Sequence, residues 1–380
     1  VREVNERGLA ATTAYDANGR PTAFNHPGGG TTRLGYDEAG RLVEMTDPNG
    51  NALAIAYDAL GRPFKHTDPA GRVNEVRYDA VGRVAGFKDS KGTVLAFELD
   101  AAGRVAAAVT PAGRMSWGYD ADGRVTSMTS PRGNTTRFTL TPSGLQKTAT
   151  DALGRVQTAD YDASGNLTAL TDPNAGKTLL AYDARGFLTK LRDPAGRGFD
   201  LTLDGLGRIV QETDPLGNAT KTTYDERGFA DSLTLPDGSI WRFAYDDIGN
   251  ITKATDPDGS VTAYTYTGDD LRESETDPEG NVTTYRYDAN GNVDRLTLPG
   301  GAVFEVAYTE NDEVASIKEP TGATVRYDYD GTGFITQATD ARGNVWRAVP
   351  DEFDRPAQLI DPSGHARKYA WDADGNLSRE

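Results

Sequence analysis

Residues 57–78 read YDALGRPFKHTDPAGRVNEVRY, and this stretch decides the fold. It contains two turn signals, D-x-x-G at 58–61 and D-P-x-G at 68–71. Asp at the first position of such a turn accepts a backbone N–H two residues on, and Pro fixes φ at the second. Gly at the fourth position reaches the left-handed φ that lets the chain leave through a bulged hairpin. Between the turns lie arms of about six and seven residues, the usual length of a strand.

The same frame runs through the chain. Its Tyr position falls at 15, 36, 57, 78, 99 and 119, then every 21 residues from 140 to 371, which makes eighteen repeats. Only the step from 99 to 119 is shorter, and its missing residue is expected between Gly113 and Tyr119, taken up at the turn end. Gly fills 15 of 18 first turns and 16 of 17 second turns, so most of the 43 Gly are turn chemistry. No linker or domain boundary interrupts the pattern, so residues 1–380 read as a single repeat region.

The arm before each Tyr alternates with period two. Trp241, Phe243 and Tyr245 share one face, and Ile240, Arg242 and Ala244 the other, a strong strand signal. The candidate structural face comprises Tyr15, Tyr36, Tyr57, Tyr78, Trp117, Tyr119, Tyr161, Tyr182, Tyr224, Trp241 and Tyr245. It continues through Tyr264, Tyr266, Tyr285, Tyr287, Tyr308, Tyr327, Tyr329, Trp346, Tyr369 and Trp371. With five Phe it holds 26 of the 33 aromatic residues. The other arm is less regular: Leu42 and Met45, or Leu167 and Leu170, are three apart, so they lie on opposite faces or flank a bulge.

These signals predict an all-β protein, an antiparallel hairpin ribbon with strand order following sequence order. About 36 strands at ~4.8 Å each would span roughly 170 Å. Open sheets of that width curl, so the ribbon is expected to coil into a hollow spiral shell or open barrel. The aromatic face is expected on its concave side, with Arg77, Arg242, Arg286, Arg326 and Arg347 facing outward, since a large apolar patch outside would promote association.

Composition narrows function. There are 40 basic and 57 acidic residues, a net charge of −17, which argues against nucleic acid or an anionic membrane as partner. No Cys is present, so disulfides and Cys-ligated metals are excluded. No apolar run reaches the ~18 residues of a membrane span, and VREVNERGLA at the start does not read as a signal peptide.

Catalytic and metal sites are hard to build. The three His (His26, His66, His365) are far apart in sequence. D-A-D-G at 120–123 and 372–375 resembles the start of a calcium loop, but Pro131 stands where the first copy would need its last carboxylate. The N-x-S/T sequons, such as Asn134 and Asn250, matter only in a secretory eukaryote. Asp270, Asp312 and Asp354 replace the first-motif Gly in alternate repeats. They are read as residues that tolerate left-handed φ, too far apart to share an ion. No cofactor is expected, and the protein is not expected to be an enzyme.

Y-D-x-x-G-R followed by D-P-x-G every 21 residues resembles the Rhs, or YD-repeat, family: bacterial Rhs polymorphic toxins, the C component of insecticidal toxin complexes and the teneurin shell. The resemblance implies a secreted or cell-surface β-shell that sequesters a C-terminal toxin domain for delivery. Its implied partners are that enclosed toxin polypeptide and an N-terminal delivery or plug domain of the same protein. Neither the delivery domain nor an autoproteolytic C-terminal region is recognised in this stretch. The alternative is a carbohydrate- or receptor-binding adhesion module of teneurin or wall-associated type.

Overall fold

Each turn builds the hairpin its sequence predicts. At the first, Asp16 N–H donates to the Arg20 carbonyl at 2.9 Å and Gly19 N–H to the Asp16 carbonyl at 3.1 Å. The same pair of bonds recurs along the chain, with the Gly at positive φ, for example +78° at Gly61 and +80° at Gly71. Where Gly is absent the backbone keeps its path: Ala175, Asp270, Asp312 and Asp354 take φ of 64°, 62°, 60° and 60°.

The structure, a computed structural model, describes residues 2–4 and 10–380. Among these are 38 strands, just over half of the chain, and one 3-10 turn at Pro299–Gly301. Regular repeats alternate a six-residue and a five-residue strand, as in Ala52–Tyr57 and Pro63–Thr67. The described pairings are antiparallel and join strands adjacent in sequence. Among the described residues no helix is long and apolar enough to cross a membrane.

A bulge resolves the odd spacing of the short arm. Leu34 pairs with Met45 and Tyr36 with Leu42, with a register shift between Gly35 and Tyr36. The extra residue is often Thr, whose hydroxyl caps the carbonyl left by the shift. Thr168 donates to Asp160 O at 3.2 Å, and Thr189 to Ala181 O at 3.2 Å.

The short repeat loses its residue from the turn. Strand Val105–Thr110 passes through Pro111–Ala112 directly into Gly113–Tyr119, which has seven residues instead of six. Trp117 opposes Met128 and Tyr119 opposes Val125, the relation that Phe138 and Leu140 keep with Ala149 and Gln146. The aromatic face is therefore preserved across the deletion.

Two compact units are present: Val1–Arg104 with Ala108–Gly113 and Thr262–Glu380, and Val105–Ala107 with Arg114–Val261. Neither has a conventional core. The only buried apolar residues described are Ala107, Ala159 and Ala169. A ribbon one sheet thick covers neither face fully, so stability comes from cross-strand pairs of ~0.2–1 kcal/mol each.

Candidate functional site

The YDxxGR motif is a relay from one repeat to the next. Asp58 accepts the N–H of Leu60 at 2.9 Å and of Arg62 at 2.9 Å, while its second oxygen takes Arg62 Nε at 2.7 Å. This grip lays the Arg62 guanidinium over the ring of Tyr78, 4.2 Å from its centroid. The Tyr78 hydroxyl then donates at 2.7 Å to the carbonyl of Pro63, the residue after that Arg. Arg20 over Tyr36, Arg41 over Tyr57 and Arg208 over Tyr224 repeat the stack, and Trp371 Nε1 takes the hydroxyl's role towards Pro356 O.

A YDxRGF variant solves the same contact differently. Phe229 replaces the Arg and stacks on Tyr245, centroids 5.0 Å apart and planes at 27°. The displaced Arg227 reaches forward to the Asp246 carbonyl at 2.7 Å.

These contacts define the aromatic face. Its rings are mostly half-buried, whereas Arg77, Arg242, Arg286, Arg326 and Arg347 on the other face are exposed. The motif hydroxyls are engaged by backbone carbonyls of the preceding repeat, so they serve the ribbon and do not project freely. The Asp58 carboxylate is held below the usual range, first by the Arg62 N–H, then by the Arg62 side chain.

No group of three His, Asp or Glu among the described residues has metal-site geometry. His26 Nε2 lies 3.0 Å from Thr32 Oγ1, His66 sits in the ladder opposite Ile55, and His365 Nδ1 is 3.2 Å from its own turn's Asp361. The three His are not brought together.

A second feature, which the repeat pattern does not announce, is a seam inside the first unit. Second-motif turns of residues 26–92 meet first-motif turns of residues 267–333. Gly28 N–H donates to Asp269 Oδ1 at 2.8 Å, Asn49 N–H to Asn290 Oδ1 at 3.1 Å, and Ala70 N–H to Asn311 Oδ1 at 3.2 Å, each partner 241 residues away. Arg72 holds Glu313 with two bonds, 2.8 and 2.9 Å, again 241 residues apart. Ser90 bonds the Gly331 carbonyl. Lys91 pairs with Asp330 at 2.8 Å and also with Asp354. Burial disfavours the charged Asp330, but Lys91 and the Thr332 N–H and hydroxyl outweigh it and lower its pKa to about 2.

Two of the unusual Asp residues have a role beyond their φ, Asp312 beside the seam and Asp354 across it. Asp312 accepts from Asn290 Nδ2 at 3.0 Å and from Asn292 Nδ2 at 2.8 Å, and Asp354 accepts from Thr332 at 2.8 Å as well as from Lys91. The seam also explains Gly28, whose Cβ, if present, would stand 1.8 Å from Asp269 Oδ2.

The RHS-repeat family model matches residues 15–52, 78–115, 119–156, 161–197, 232–303 and 308–345. Three solved structures share the fold. The TcdB2-TccC3 structure without its hypervariable C-terminal region aligns over 97% of this chain and 24% of its own, with TM-score 0.79 and 16% identity. The TcdB2-TccC3-TEV structure aligns over 97% of this chain and 25% of its own (TM-score 0.57, 14% identity). The TcdB2-TccC3-Cdc42 structure aligns over 98% and 30% (TM-score 0.54, 12% identity). The chain thus spans about a quarter of the length of the first of these proteins. Among curated proteins no sequence match is found.

Proposed function

The chain belongs to the RHS-repeat family, and from this premise we propose that it is a length of shell wall in a toxin-complex-type protein, sequestering a C-terminal toxin domain. The observation that carries the reading is the likeness to TcdB2-TccC3 over 97% of this chain. That relative's hypervariable C-terminal region is what a constant wall around changeable cargo would require.

The side chains fit a passive role. The motif's Asp, Arg and Tyr are committed to holding each repeat to the next, so the wall acts sterically and no bond-making chemistry is assigned to it. In this reading the cargo and an N-terminal delivery domain are parts of the same polypeptide, the whole protein is secreted, and the aromatic face is turned towards the cargo. Half-buried rings there offer apolar contact to a partly folded chain, while the exposed Arg face suits water.

Limited proteolysis of the intact protein tests the proposal. The C-terminal region should stay uncut until denaturant opens the wall. Equal digestion rates before and after unfolding would refute enclosure. Orientation is tested separately by single cysteines in that protein: Arg242→Cys should react with a bulky maleimide and Phe243→Cys should not.

A further inference from the structure

We propose that the seam is a register key, in which a few turn side chains permit the 241-residue offset and reject alignments one or two repeats away. The proposal concerns the first unit alone and is independent of what the wall encloses.

The key is visible when the two rows are written as columns 21 residues apart. In the early row, the position of Arg72 is otherwise Gly30, Asn51 and Thr93. In the late row, the position of Glu313 is otherwise Leu271, Asn292, Phe334 and Arg355. Each column has a single residue able to make this pair, and at the observed offset the two meet through both guanidinium nitrogens. A slip of one repeat sets Arg72 against Asn292 or Phe334, and a slip of two against Leu271 or Arg355. Either slip removes the bidentate partner and leaves the partly buried guanidinium only its own turn's Asp68, whose Oδ2 lies 3.9 Å from Arg72 Nη1, and a partly buried charge so short of partners is disfavoured.

Lys91 reads a second code. Its column is otherwise Gly28, Asn49 and Ala70, so it is the one cation there. At the observed offset it meets Asp330 and Asp354. Asp354 belongs to the alternating series Asp270, Gly291, Asp312, Gly333, Asp354, Gly375. A one-repeat slip therefore gives Lys91 either Thr309 with Gly333 or Asp351 with Gly375, and the paired carboxylates are lost. A backward slip of two repeats would restore two carboxylates, Asp288 and Asp312, but there Arg72 faces Leu271.

Gly333 of the series is part of the key. A Cβ on Gly333 would lie 2.8 Å from Glu313 Oε1 and 3.5 Å from Arg72 Nη1, so a side chain there would push on the bidentate pair. Part of the 42-residue alternation thus has a reason in the seam: Asp312 and Asp354 hold amides and a cation, and Gly333 leaves the neighbouring ion pair room.

Cross-linking in the whole chain, which has no native Cys, reads the register directly. A Cβ on Gly331 would lie 3.9 Å from Ser90 Cβ, within the range for a disulfide. Ser90→Cys is combined in turn with Gly331→Cys, Glu310→Cys or Glu352→Cys, which report the observed offset and its two neighbours. Only the 90–331 pair should oxidise efficiently. With Glu313→Asn and Asp354→Gly added, cross-linking at 331 should fall about tenfold and rise at 310 or 352. Unchanged, exclusive cross-linking at 331 would overturn the proposal, because the backbone path alone would then fix the register. Should that variant fail to fold, Arg72→Glu is compared with the exchanged pair Arg72→Glu, Glu313→Arg. The single change should abolish 90–331 cross-linking and the exchange restore it; no restoration would equally overturn the key.

Discussion

Replacing Tyr57 by Phe isolates one link of the repeat relay. The Tyr57 hydroxyl donates to the Leu42 carbonyl at 2.7 Å, and the Arg41 guanidinium lies 4.7 Å from the ring centroid. Phe keeps the ring and loses the donor. The carbonyl is half-exposed and water partly replaces the donor, so the net loss is about 1 kcal/mol. In a repeat array, stability is a sum of unit and nearest-neighbour terms, so the loss should be local. Hydrogen exchange should show the amides of strands Leu42–Thr46 and Ala52–Tyr57 opening about fivefold more often, with distant repeats unchanged. Arg41→Met removes the stack and should cost about 0.5–1 kcal/mol. The double variant should show coupling, because the guanidinium and hydroxyl fix the same ring. Unchanged protection in Tyr57→Phe, or equal loss of protection along the whole ribbon, would refute the relay.

Other substitutions follow from the same contacts. Gly28→Ala should weaken the seam, since its Cβ would sit 1.8 Å from Asp269 Oδ2, and Asp269→Gly should rescue it; thermal melts and 90–331 cross-linking report both. Ala175→Gly should stabilise by about 0.5–1 kcal/mol, because Ala175 is held at φ 64°, where a Cβ is strained; a lower melting temperature would count against this. Asp16, Asp58 and Asp120 have lowered pKa values, chiefly from the N–H of the Arg four residues on. A lowered folded pKa gives stability that is complete above the unfolded value of ~3.9 and lost as pH falls through the folded one. Melting temperature should therefore be flat from pH 7 to ~5 and fall below ~4. Asp330, at about 2, should keep its seam charge longest, as NMR titration of its carboxyl carbon can show.

Much of this structure was legible in the sequence because it is local. A turn needs four residues, and Asp, Pro and Gly state its dihedrals. Strand pairing follows from the turns, since each hairpin partner is the next strand. The bulge was announced by the three-residue spacing of Leu42 and Met45, and the left-handed Asp270, Asp312 and Asp354 by their place in a Gly column. The relay was half-visible: period two put the rings on one face. That Tyr78 reaches back to Pro63 and lies under Arg62 depends on how one hairpin leans on the last, which composition does not encode.

The seam belongs wholly to tertiary structure. Gly28 and Asp269, or Arg72 and Glu313, are 241 residues apart, and each looks like an ordinary turn residue in its own repeat. How near the two rows come depends on small twists and bends that accumulate strand after strand, among which the seam side chains select the register. The sequence holds the side chains that recognise the right partner, but only the folded ribbon brings them within reach.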